Sequence, residues 1–360
     1  MLEEHGIHLI WFDSLGAKSS SIAVETSRGV VVIDPGAAAM QPGYPLPDEE
    51  KIMLRRKAKQ AIYEWLKKAV IVIVTHYHYD HHFVPGDPEF PEENPLAGKT
   101  IYAKNPNKYI NESQWGRARI FLEALLGFYN ISLENYLIEP LETSFPDPVD
   151  ELEISLRRDF GDYTKRRREL LEKGRRWFEK LSKELWAKKK WVTEIQLSDG
   201  TRILWGENRV IECGDTRIKI LGPWFHGLEY DRTGWITPVI IEKNNWKLFY
   251  TSDVMGPIIE DYAYYIINEK PDAIILDGPP TYLFPYMFNK INLNRAIENT
   301  IEIIKSHPQL IIYDHHLLRE KRWRERVKQV FQAAEKEGVK LLTAAEYLGK
   351  KPLIDTVASK

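Results

Sequence analysis

The first third of the chain alternates between strand-like and helix-like patterns of apolar residues. Residues 7–12 (IHLIWF), 20–25 (SSIAVE) and 30–34 (VVVID) are short β-rich runs separated by turns, which predicts antiparallel strands. From Asp48, interpreted as an N-cap, apolar residues recur at helical spacing as far as Ala69. This predicted helix leads into residues 70–74 (VIVIV), an apolar run typical of a buried strand.

The second half of the chain repeats this layout. Strand patterns occur in DGTRILWG, GDTRIKILG, TPVIIE, KLFYTSD, DAIILD and LIIYD, and helical patterns occur near residues 258–268, 293–305 and 323–334. Residues 105–190 are mostly helical in pattern and are interpreted as an insertion. We therefore expect an α/β fold, a single domain over residues 1–360 in which two sheets pack together with helices outside.

Composition narrows the functional classes only modestly. Lys and Arg total 50 against 52 for Asp and Glu, so net charge exerts no overall attraction for nucleic acid, membranes or anions. The single cysteine, Cys213, excludes an intramolecular disulfide and a thiolate cluster. No signal peptide or bilayer-spanning run is evident, which predicts a cytoplasmic protein without a membrane partner. The oligomeric state is not predicted.

The segment THYHYDHH, residues 75–82, concentrates four of the ten histidines directly after the predicted buried strand. In a loop leaving a strand, His76 and His78 can converge on one cation while Asp80 and His81 turn toward a second. Imidazole and carboxylate ligands without thiolate suit Zn²⁺, Mn²⁺ or Fe²⁺. The alternative is a solvated turn, or buried histidines bonded to backbone groups.

Further motifs follow in a recognisable order. They are VVIDPG with Asp34, H-x-H-x-D-H with His76, His78, Asp80 and His81, GPWFHG with His226, LFYTSD with Asp253, and LIIYDHH with His315 and His316. In this order the chain resembles the metallo-β-lactamase superfamily, apart from roughly residues 105–190. In its DHHLLR run and in the second histidine of the DHH motif, the chain resembles an uncharacterised archaeal branch of predicted metal-dependent hydrolases.

The resemblance implies an αββα sandwich and a set of site residues. His76, His78 and His226 would hold a first metal, Asp80, His81 and His315 or His316 a second, and Asp253 would bridge both. His315 is favoured because relatives place this histidine after one polar residue that ends the strand, as Asp314 does here. Asp34 is expected to orient the ligand loop, with a plain turn as its alternative, and Asp253 has an N-cap as its alternative. His82 and His316 remain pocket residues or alternative ligands.

The function that the resemblance implies is metal-dependent hydrolysis. Two divalent metals, with zinc favoured and manganese or iron open, would share a hydroxide that attacks an ester-type bond, a phosphodiester being the leading case. Asp80 is expected to accept a proton as well as to bind metal, and Asp253 to act with it. The alternatives are a mononuclear iron oxygenase of the same fold and a nucleic-acid-binding protein with a structural metal.

Three segments outside the motifs are candidates for substrate contact. Residues 111–119 (NESQWGRAR) and 277–286 (DGPPTYLFPY) are expected either to line the pocket or to be a helix start and a surface loop. Residues 157–190 carry fourteen Lys or Arg against six Asp or Glu. This basic stretch predicts an amphipathic helix that is either a salt-bridged cover for the core or a surface attracting a small or medium anionic substrate. Nucleic acid is left open as a partner, although no recognition module supports it.

Overall fold

The computed structural model describes residues 1–90 and 94–357. Within these residues the strands form two seven-stranded sheets and two small two-stranded ones. The first large sheet contains, in spatial order, β1 (Ile7–Phe12), β2 (Ser20–Thr26), β3 (Gly29–Ile33), β4 (Ala69–Val74), β5 (Thr100–Ala103), β9 (Arg202–Trp205) and β8 (Ile195–Gln196). The second contains β10 (Val210–Glu212), β11 (Thr216–Ile220), β14 (Val239–Lys243), β15 (Trp246–Tyr250), β16 (Ala273–Asp277), β17 (Leu310–Asp314) and β18 (Lys340–Leu342). The small sheets pair β6 (Leu137–Ile138) with β7 (Trp191–Val192) and β12 (Trp224–Phe225) with β13 (Trp235–Ile236).

Each large sheet changes from antiparallel to parallel pairing. Strands β1, β2 and β3 are antiparallel, as the sequence predicts, whereas β3, β4, β5 and β9 are parallel. In the second sheet β14 and β15 are antiparallel, and β15, β16, β17 and β18 are parallel. The carboxyl ends of neighbouring parallel strands therefore lie at the same edge of each sheet, where ligands of α/β proteins usually bind.

Two apolar layers hold the sandwich together. Ile22 and Ile73 of the first sheet belong to the same buried cluster as Ile241 and Leu248 of the second, so the sheets pack face to face. On the outer faces, Ile62 of α1 (Asp48–Leu66) and residues of the later helices form the second cluster. Helices outside two packed sheets make an αββα sandwich, which confirms the predicted fold class.

The remaining helices are close to those that the sequence predicts. They are α2 (Glu112–Gly127), α3 (Glu153–Arg157), α4 (Tyr163–Leu181), α5 (Glu260–Glu269), α6 (Lys290–Lys305), α7 (Trp323–Arg326), α8 (Lys328–Glu337), α9 (Ala344–Tyr347) and α10 (Leu353–Thr356). The N-cap prediction for Asp48 is wrong by one residue, because extended Pro47 precedes the helix and Asp48 lies in its first turn. Residues 323–337 form two helices because Val327 leaves helical geometry. None of the described helices is long and apolar enough to cross a bilayer.

Residues 105–190 leave the first sheet after β5 and contain α2, α3 and α4. The amphipathic helix expected here is α4, which continues into a π-helical turn at residues 182–186. Phe178, Leu181 and Trp186 are buried on its apolar side, and Trp177 stacks on Trp235 of β13 with ring centroids 5.8 Å apart. The helical segment is thus docked by its apolar face against the strand that follows His226.

Candidate metal centre

The predicted site residues follow strands of both sheets at their carboxyl ends. Asp34 comes directly after β3, the histidine loop of residues 76–82 follows β4, Asp253 follows β15, and His315 follows β17. Since β3 pairs with β4 and the later strands run parallel, these strand ends face one another across the sandwich edge. His226 reaches the same place from the loop between β12 and β13.

A close backbone approach brings the turn after β3 against the histidine loop. A Cβ atom on Gly36 would lie 2.3 Å from the amide nitrogen of His82 and 2.5 Å from that of His81. Because no real side chain tolerates such distances, only glycine allows this turn to lie beneath the loop. Glycine at position 36 therefore permits the contact between Asp34 and His81.

The carboxylate of Asp253 lies between two pairs of imidazoles. Its Oδ2 is 3.4 Å from Nε2 of His76 and 3.1 Å from Nε2 of His226. Its Oδ1 is 2.9 Å from Nε2 of His81 and 3.2 Å from Nε2 of His315. Each oxygen of one buried carboxylate thus faces a separate pair of ring nitrogens.

None of these ring nitrogens forms a hydrogen bond with Asp253. Both carboxylate oxygens of Asp253, Nε2 of His76 and both ring nitrogens of His226 are buried without a hydrogen-bond partner among the described residues. Buried polar atoms are ordinarily paired, so such a group needs an explanation. Converging imidazole nitrogens and carboxylate oxygens are the donors that zinc, manganese and iron accept. The cluster is therefore able to hold metal.

The ligand-type atoms fall into overlapping groups. Within each group they lie within 4.8 Å of one another: His76, His78, His226 and Asp253; Asp80, His81 and His315; Asp253, His315 and His316. The first two groups bring together the residues that the resemblance pairs, and Asp253 belongs to two of the three. Asp80 stands somewhat apart, with its Oδ2 3.8 Å from Nε2 of His315.

Three buried carboxylates hold the second nitrogen of three of these histidines. Oδ2 of Asp34 is 2.8 Å from Nδ1 of His81, and the same carboxylate accepts hydrogen bonds from the backbone and hydroxyl of Thr75 and from the hydroxyl of Tyr250. Oδ1 of Asp13 is 2.8 Å from Nδ1 of His315, and both oxygens of Asp277 are 3.0 Å from Nδ1 of His316. Such contacts select the ring tautomer and orientation of metal-binding histidines.

Asp34 thus occupies the orienting position expected for it, whereas Asp13 and the orienting contact of Asp277 were not anticipated. Asp13 follows β1 and Asp277 ends β16, just as Asp34 follows β3. An aspartate at the carboxyl end of a strand is the signal that would have identified both. Asp277 does belong to the loop, residues 277–286, that was a candidate for lining the pocket.

Burial lowers the pKa of His76, whereas neighbouring carboxylates raise the pKa of His81. Burial lowers the pKa of His76 to about 3, so this imidazole is neutral and keeps a lone pair for a ligand bond. Burial also disfavours charge on His81, but the carboxylates of Asp253 and then Asp34 outweigh it and raise the pKa to about 10. The carboxylates therefore attract positive charge to the position between Asp253 and His81, where a cation would lie.

The strand that ends at Asp314 does not continue its alternation into the two histidines. His315 has a left-handed backbone, with φ of 62°, and a 3-10 turn begins there. This is the break that allows adjacent histidines both to face Asp253. They still differ, because Nε2 of His315 contacts His81 at 3.3 Å, whereas His316 turns Nδ1 toward Asp277.

His82 lies outside these groups. Its Nδ1 is 2.9 Å from the carbonyl oxygen of His78, and its ring packs against Tyr77, Tyr79 and Phe121. The loop geometry therefore directs His82 into the apolar surroundings of α2. Its Nε2 has no hydrogen-bond partner among the residues described.

The segment of residues 111–119 both begins a helix and braces the site. Asn111 caps α2 by accepting a hydrogen bond from the amide of Gln114. The side chain of Gln114 accepts from the amide of Tyr77 at 3.3 Å and donates to the carbonyl oxygen of Thr233 at 2.7 Å. It thereby ties the histidine loop to the loop that carries His226.

The basic segment of residues 157–190 divides into paired and unpaired cations. Arg158, Arg166, Arg167 and Arg175 each form an ion pair with an acidic side chain. Lys173 and Arg176 have no acidic partner among the described residues, and they line a surface groove beside Trp177 together with Lys180, which pairs with Glu184 at 3.9 Å. Both features named as alternatives for this segment, a salt-bridged helix and an exposed positive surface, are therefore present.

Comparisons with known proteins found a matching family model, similar archaeal proteins and structural neighbours. Residues 16–83 match the family model of the metallo-beta-lactamase superfamily. A UPF0282 protein of Korarchaeum cryptofilum is 29% identical over 339 residues, covering 94% of this chain and 87% of the relative. A UPF0282 protein of Methanocaldococcus jannaschii is 28% identical over 348 residues, covering 95% and 91%. Among solved structures, the metallo-beta-lactamase fold protein YhfI from Bacillus subtilis aligns with a TM-score of 0.41 at 10% identity, covering 94% of this chain and 95% of that one.

Proposed function

We propose that this chain, whose residues 16–83 match the family model of the metallo-beta-lactamase superfamily, is a binuclear metal-dependent hydrolase acting on an ester-type bond. The superfamily consists mostly of metal-dependent hydrolases. The observation that carries the proposal is the position of Asp253, whose two oxygens face two separate pairs of histidine nitrogens. A single cation would leave one of these pairs without a role.

The residues divide between two candidate metal positions. His76, His78 and His226 hold the first cation, and Asp80, His81 and His315 hold the second, with Asp253 shared. Zinc is favoured because the donors are imidazole and carboxylate, although manganese and iron accept the same donors. His316 is assigned outside the ligand set because Asp277 engages its Nδ1 with both oxygens.

Access to the centre is one-sided. His76, His81, His226, Asp253 and His315 are buried, whereas His78 and Asp80 are partly exposed and Tyr79 between them is exposed. Substrate therefore approaches across residues 78–80. When bound, two divalent cations lower the pKa of a shared water and polarise the oxygen of the bond under attack.

Asp80 is placed to move a proton on this open side. Its Oδ2 lies 3.3 Å from Nη2 of Arg319, and this guanidinium, together with His81 and His315, overcomes the effect of burial and holds the pKa of Asp80 well below its usual range. Asp80 is thus an ionised carboxylate at the entrance, able to bind metal through one oxygen, and because its lowered pKa makes it a weak base, it accepts a proton from water only transiently. Asp253 is the shared carboxylate behind it.

Among ester-type substrates, an anionic ester and in particular a phosphodiester is favoured. Lys173 and Arg176 in the basic groove and the buried Arg319 beside Asp80 favour negative charge on the substrate. A mononuclear iron oxygenase would leave Asp80, His81 and His315 without a ligand role. A nucleic-acid-binding protein with a structural metal would not need a partly exposed carboxylate beside the cluster.

A combined metal and activity measurement tests the proposal. Protein reconstituted with Zn²⁺, Mn²⁺ or Fe²⁺ is analysed for metal content, for oxygen uptake, and for hydrolysis of bis-p-nitrophenyl phosphate, a thioester, a lactone and a short RNA. We expect two equivalents of metal, no oxygen uptake, and hydrolysis that is strongest with a phosphodiester. The exposed His307→Ala should match the natural protein, whereas His81→Ala should lose activity and one equivalent.

One equivalent of iron with oxygen uptake would replace the hydrolase with the oxygenase. Stable metal binding without turnover of any ester in the panel would favour the structural-metal alternative. Hydrolysis restricted to the neutral lactone would support the hydrolase assignment but contradict the proposal of an anionic substrate.

A further inference from the structure

The loop that carries His226 lies against one face of helix α4. This loop, residues 226–234, joins β12 to β13 and is called the His226 loop below. Arg167, Gly174 and Phe178 of α4 are separated by seven and four residues, which is about two turns and one turn of helix, so they share a face. Each of the three contacts the His226 loop, and each contact is of a different kind.

At one end of this face, Arg167 forms a buried ion pair with the His226 loop. Its Nη2 lies 2.7 Å from Oε1 of Glu229, and the two side chains are 10% and 5% exposed. The same oxygen accepts a hydrogen bond from Nη2 of Arg295 on α6 at 2.7 Å. Removing one partner of a buried ion pair is strongly destabilising, because it leaves a buried charge without compensation. The loop is therefore anchored to α4 and α6 three residues after His226.

In the middle of the face, the backbone of α4 lies directly against Tyr230. A Cβ atom on Gly174 would lie 2.3 Å from Cδ2 of Tyr230 and 2.6 Å from both its Cβ and its Cγ. Because Cβ and Cγ lie close to the backbone, the ring of Tyr230 cannot relieve this contact by turning away. The hydroxyl of Tyr230 is also held, since it donates to Oδ2 of Asp147 at 2.5 Å. Only glycine at position 174 allows the helix and the loop to lie this close.

The third contact is aromatic and extends to the end of the loop. Phe178 is buried, and its ring centroid is 6.3 Å from that of Tyr230. Its neighbour Trp177 stacks on Trp235, the first residue of β13. The inserted segment thus holds the His226 loop by an ion pair, by close backbone approach and by ring packing.

The imidazole of His226 depends on this loop more than the other histidines do. Carboxylates hold the second nitrogen of His81 and of His315, whereas both ring nitrogens of His226 are buried without a hydrogen-bond partner among the described residues. Its backbone is fixed within the loop, because its amide donates to the carbonyl oxygen of Gly234 at 2.9 Å and its carbonyl oxygen accepts from the hydroxyl of Thr233 at 2.7 Å. The backbone of the loop therefore places this side chain.

We propose that α4 is a positioning element of the metal centre: through Arg167 and Gly174 it fixes the loop that places His226 at the first metal position. The inference rests on the proposed binuclear function and extends it by giving the inserted segment a role in that site. By linkage, docking of α4 and metal binding at the first position stabilise each other. The second position does not depend on α4, because Asp34 and Asp13 orient its histidines.

Addition of one methyl group at Gly174 tests this role. Gly174→Ala favours the helix itself but forces α4 away from Tyr230. Gly127→Ala is the matched control, because Gly127 is also helical and a Cβ atom there meets nothing within 4 Å. The affinities for both zinc equivalents are measured by competition with a chromogenic chelator. We expect Gly174→Ala to weaken one equivalent about tenfold, within the range for loss of a contact that orients a ligand, and Gly127→Ala to weaken neither.

The same substitutions in the His226→Ala background separate positioning from general stability. If α4 acts through His226, the effect of Gly174→Ala on zinc affinity disappears once that ligand is absent. Circular dichroism checks that each variant is folded at the temperature of the zinc measurement. We expect Gly174→Ala and Gly127→Ala to bind the remaining equivalent equally well in this background.

Arg167→Ala gives a second, independent disruption of the same contact face. Its control is Arg166→Ala, which removes an exposed neighbour that pairs with Glu169 within the helix. We expect Arg167→Ala to weaken the same single zinc equivalent and Arg166→Ala to leave both affinities unchanged. Should Gly174→Ala fail to fold, this pair decides the inference alone.

The outcomes separate this inference from the function on which it rests. Equal zinc affinities within each matched pair overturn the positioning role and leave the hydrolase standing. A further loss of zinc affinity in the His226→Ala background also overturns it, because α4 would then support the fold as a whole. Selective loss of one equivalent in a protein that hydrolyses no ester retains the positioning role and contradicts the proposed function. A natural protein that binds no zinc overturns both.

Discussion

Asp13 and His315 are 302 residues apart in the chain, and a carboxylate oxygen of Asp13 lies 2.8 Å from Nδ1 of His315. Both side chains are buried, and the other oxygen of Asp13 accepts a hydrogen bond from Arg319. The turn after the first strand thereby orients the histidine after the penultimate strand of the second sheet. The first and last parts of the chain complete the second candidate metal position together.

This contact predicts that Asp13→Asn weakens metal binding at the second position. The amide keeps the size of the carboxylate but no longer stabilises the N–H of His315, and losses of such contacts cost roughly 10- to 100-fold in metal affinity. The affinity for the second zinc equivalent is measured by competition with a chromogenic chelator. Asp48→Asn, at an exposed position in the first turn of α1, is the control and should keep the natural affinity. An unchanged affinity for the second zinc equivalent in Asp13→Asn would show that Asp13 does not support the second metal position.

The close approach at Gly36 predicts a large effect from adding one methyl group. Gly36→Ala places a Cβ atom against the backbone of His81 and His82, so the turn after β3 and the histidine loop must separate. We expect a loss of roughly 2 to 4 kcal/mol in the free energy of unfolding, measured by urea denaturation, together with weaker zinc binding.

Gly43→Ala is the matched control, because a Cβ atom at Gly43 meets nothing within 4 Å. It should leave the free energy of unfolding within about 1 kcal/mol of the natural value. If both substitutions have the same small effect, the turn after β3 can shift to accommodate a Cβ atom at position 36, contrary to this prediction.

A buried ion-pair cluster predicts acid sensitivity of the loop that carries His226. Oε1 of Glu229 accepts from Arg295 and Arg167, each at 2.7 Å, so residue 229 joins this loop to α6 and to the basic segment. Burial raises the pKa of Glu229, but Arg295 and then Arg167 outweigh it and lower the pKa to about 2. The stabilisation by this carboxylate is thus complete above its unfolded pKa of about 4.5 and is lost as pH falls toward 2.

We expect the natural protein to lose about 3 kcal/mol of unfolding free energy from this group as pH falls below 4.5. Glu229→Gln does not titrate, so its stability should start lower at pH 7 and fall less steeply in acid. Urea denaturation between pH 7 and pH 2 measures both slopes. Parallel slopes for the two proteins would show that Glu229 does not titrate with a depressed pKa.

The resemblance implied the site residues, and the position of most of them directly after a strand gives the physical reason why they converge. Asp34, the histidine loop and Asp253 directly follow strands whose apolar runs are evident, so their convergence at the sheet edges could be anticipated. The relation between His315 and His316 could not, because it depends on a left-handed residue at which strand alternation ends. The position of Asp13 after a strand marks it as a candidate, but its partnership with His315 depends on packing between distant segments, which the sequence does not show.

The fold, like the site, could be predicted only in part from the sequence. Two sheets with outer helices follow from the alternation of apolar patterns, and this architecture is confirmed. The helical spacing of Trp177, Leu181 and Leu185 predicts an apolar face on α4. It does not predict that this face packs against Trp235. Likewise, the fourteen basic residues of residues 157–190 gave no indication of which would find acidic partners. The pairings of Arg158 and Arg167 depend on residues from α5, α6 and the loop after His226.

The bridging position of Asp253 is tested most directly by counting bound metal. The natural protein, Asp253→Ala and His226→Ala are each saturated with Zn²⁺, desalted and analysed for zinc per chain. We predict two equivalents for the natural protein, about one for His226→Ala, with the second position retained, and fewer than one for Asp253→Ala because both positions lose a shared ligand. A natural protein that never holds more than one equivalent, or an Asp253→Ala variant that still holds two, would contradict the account.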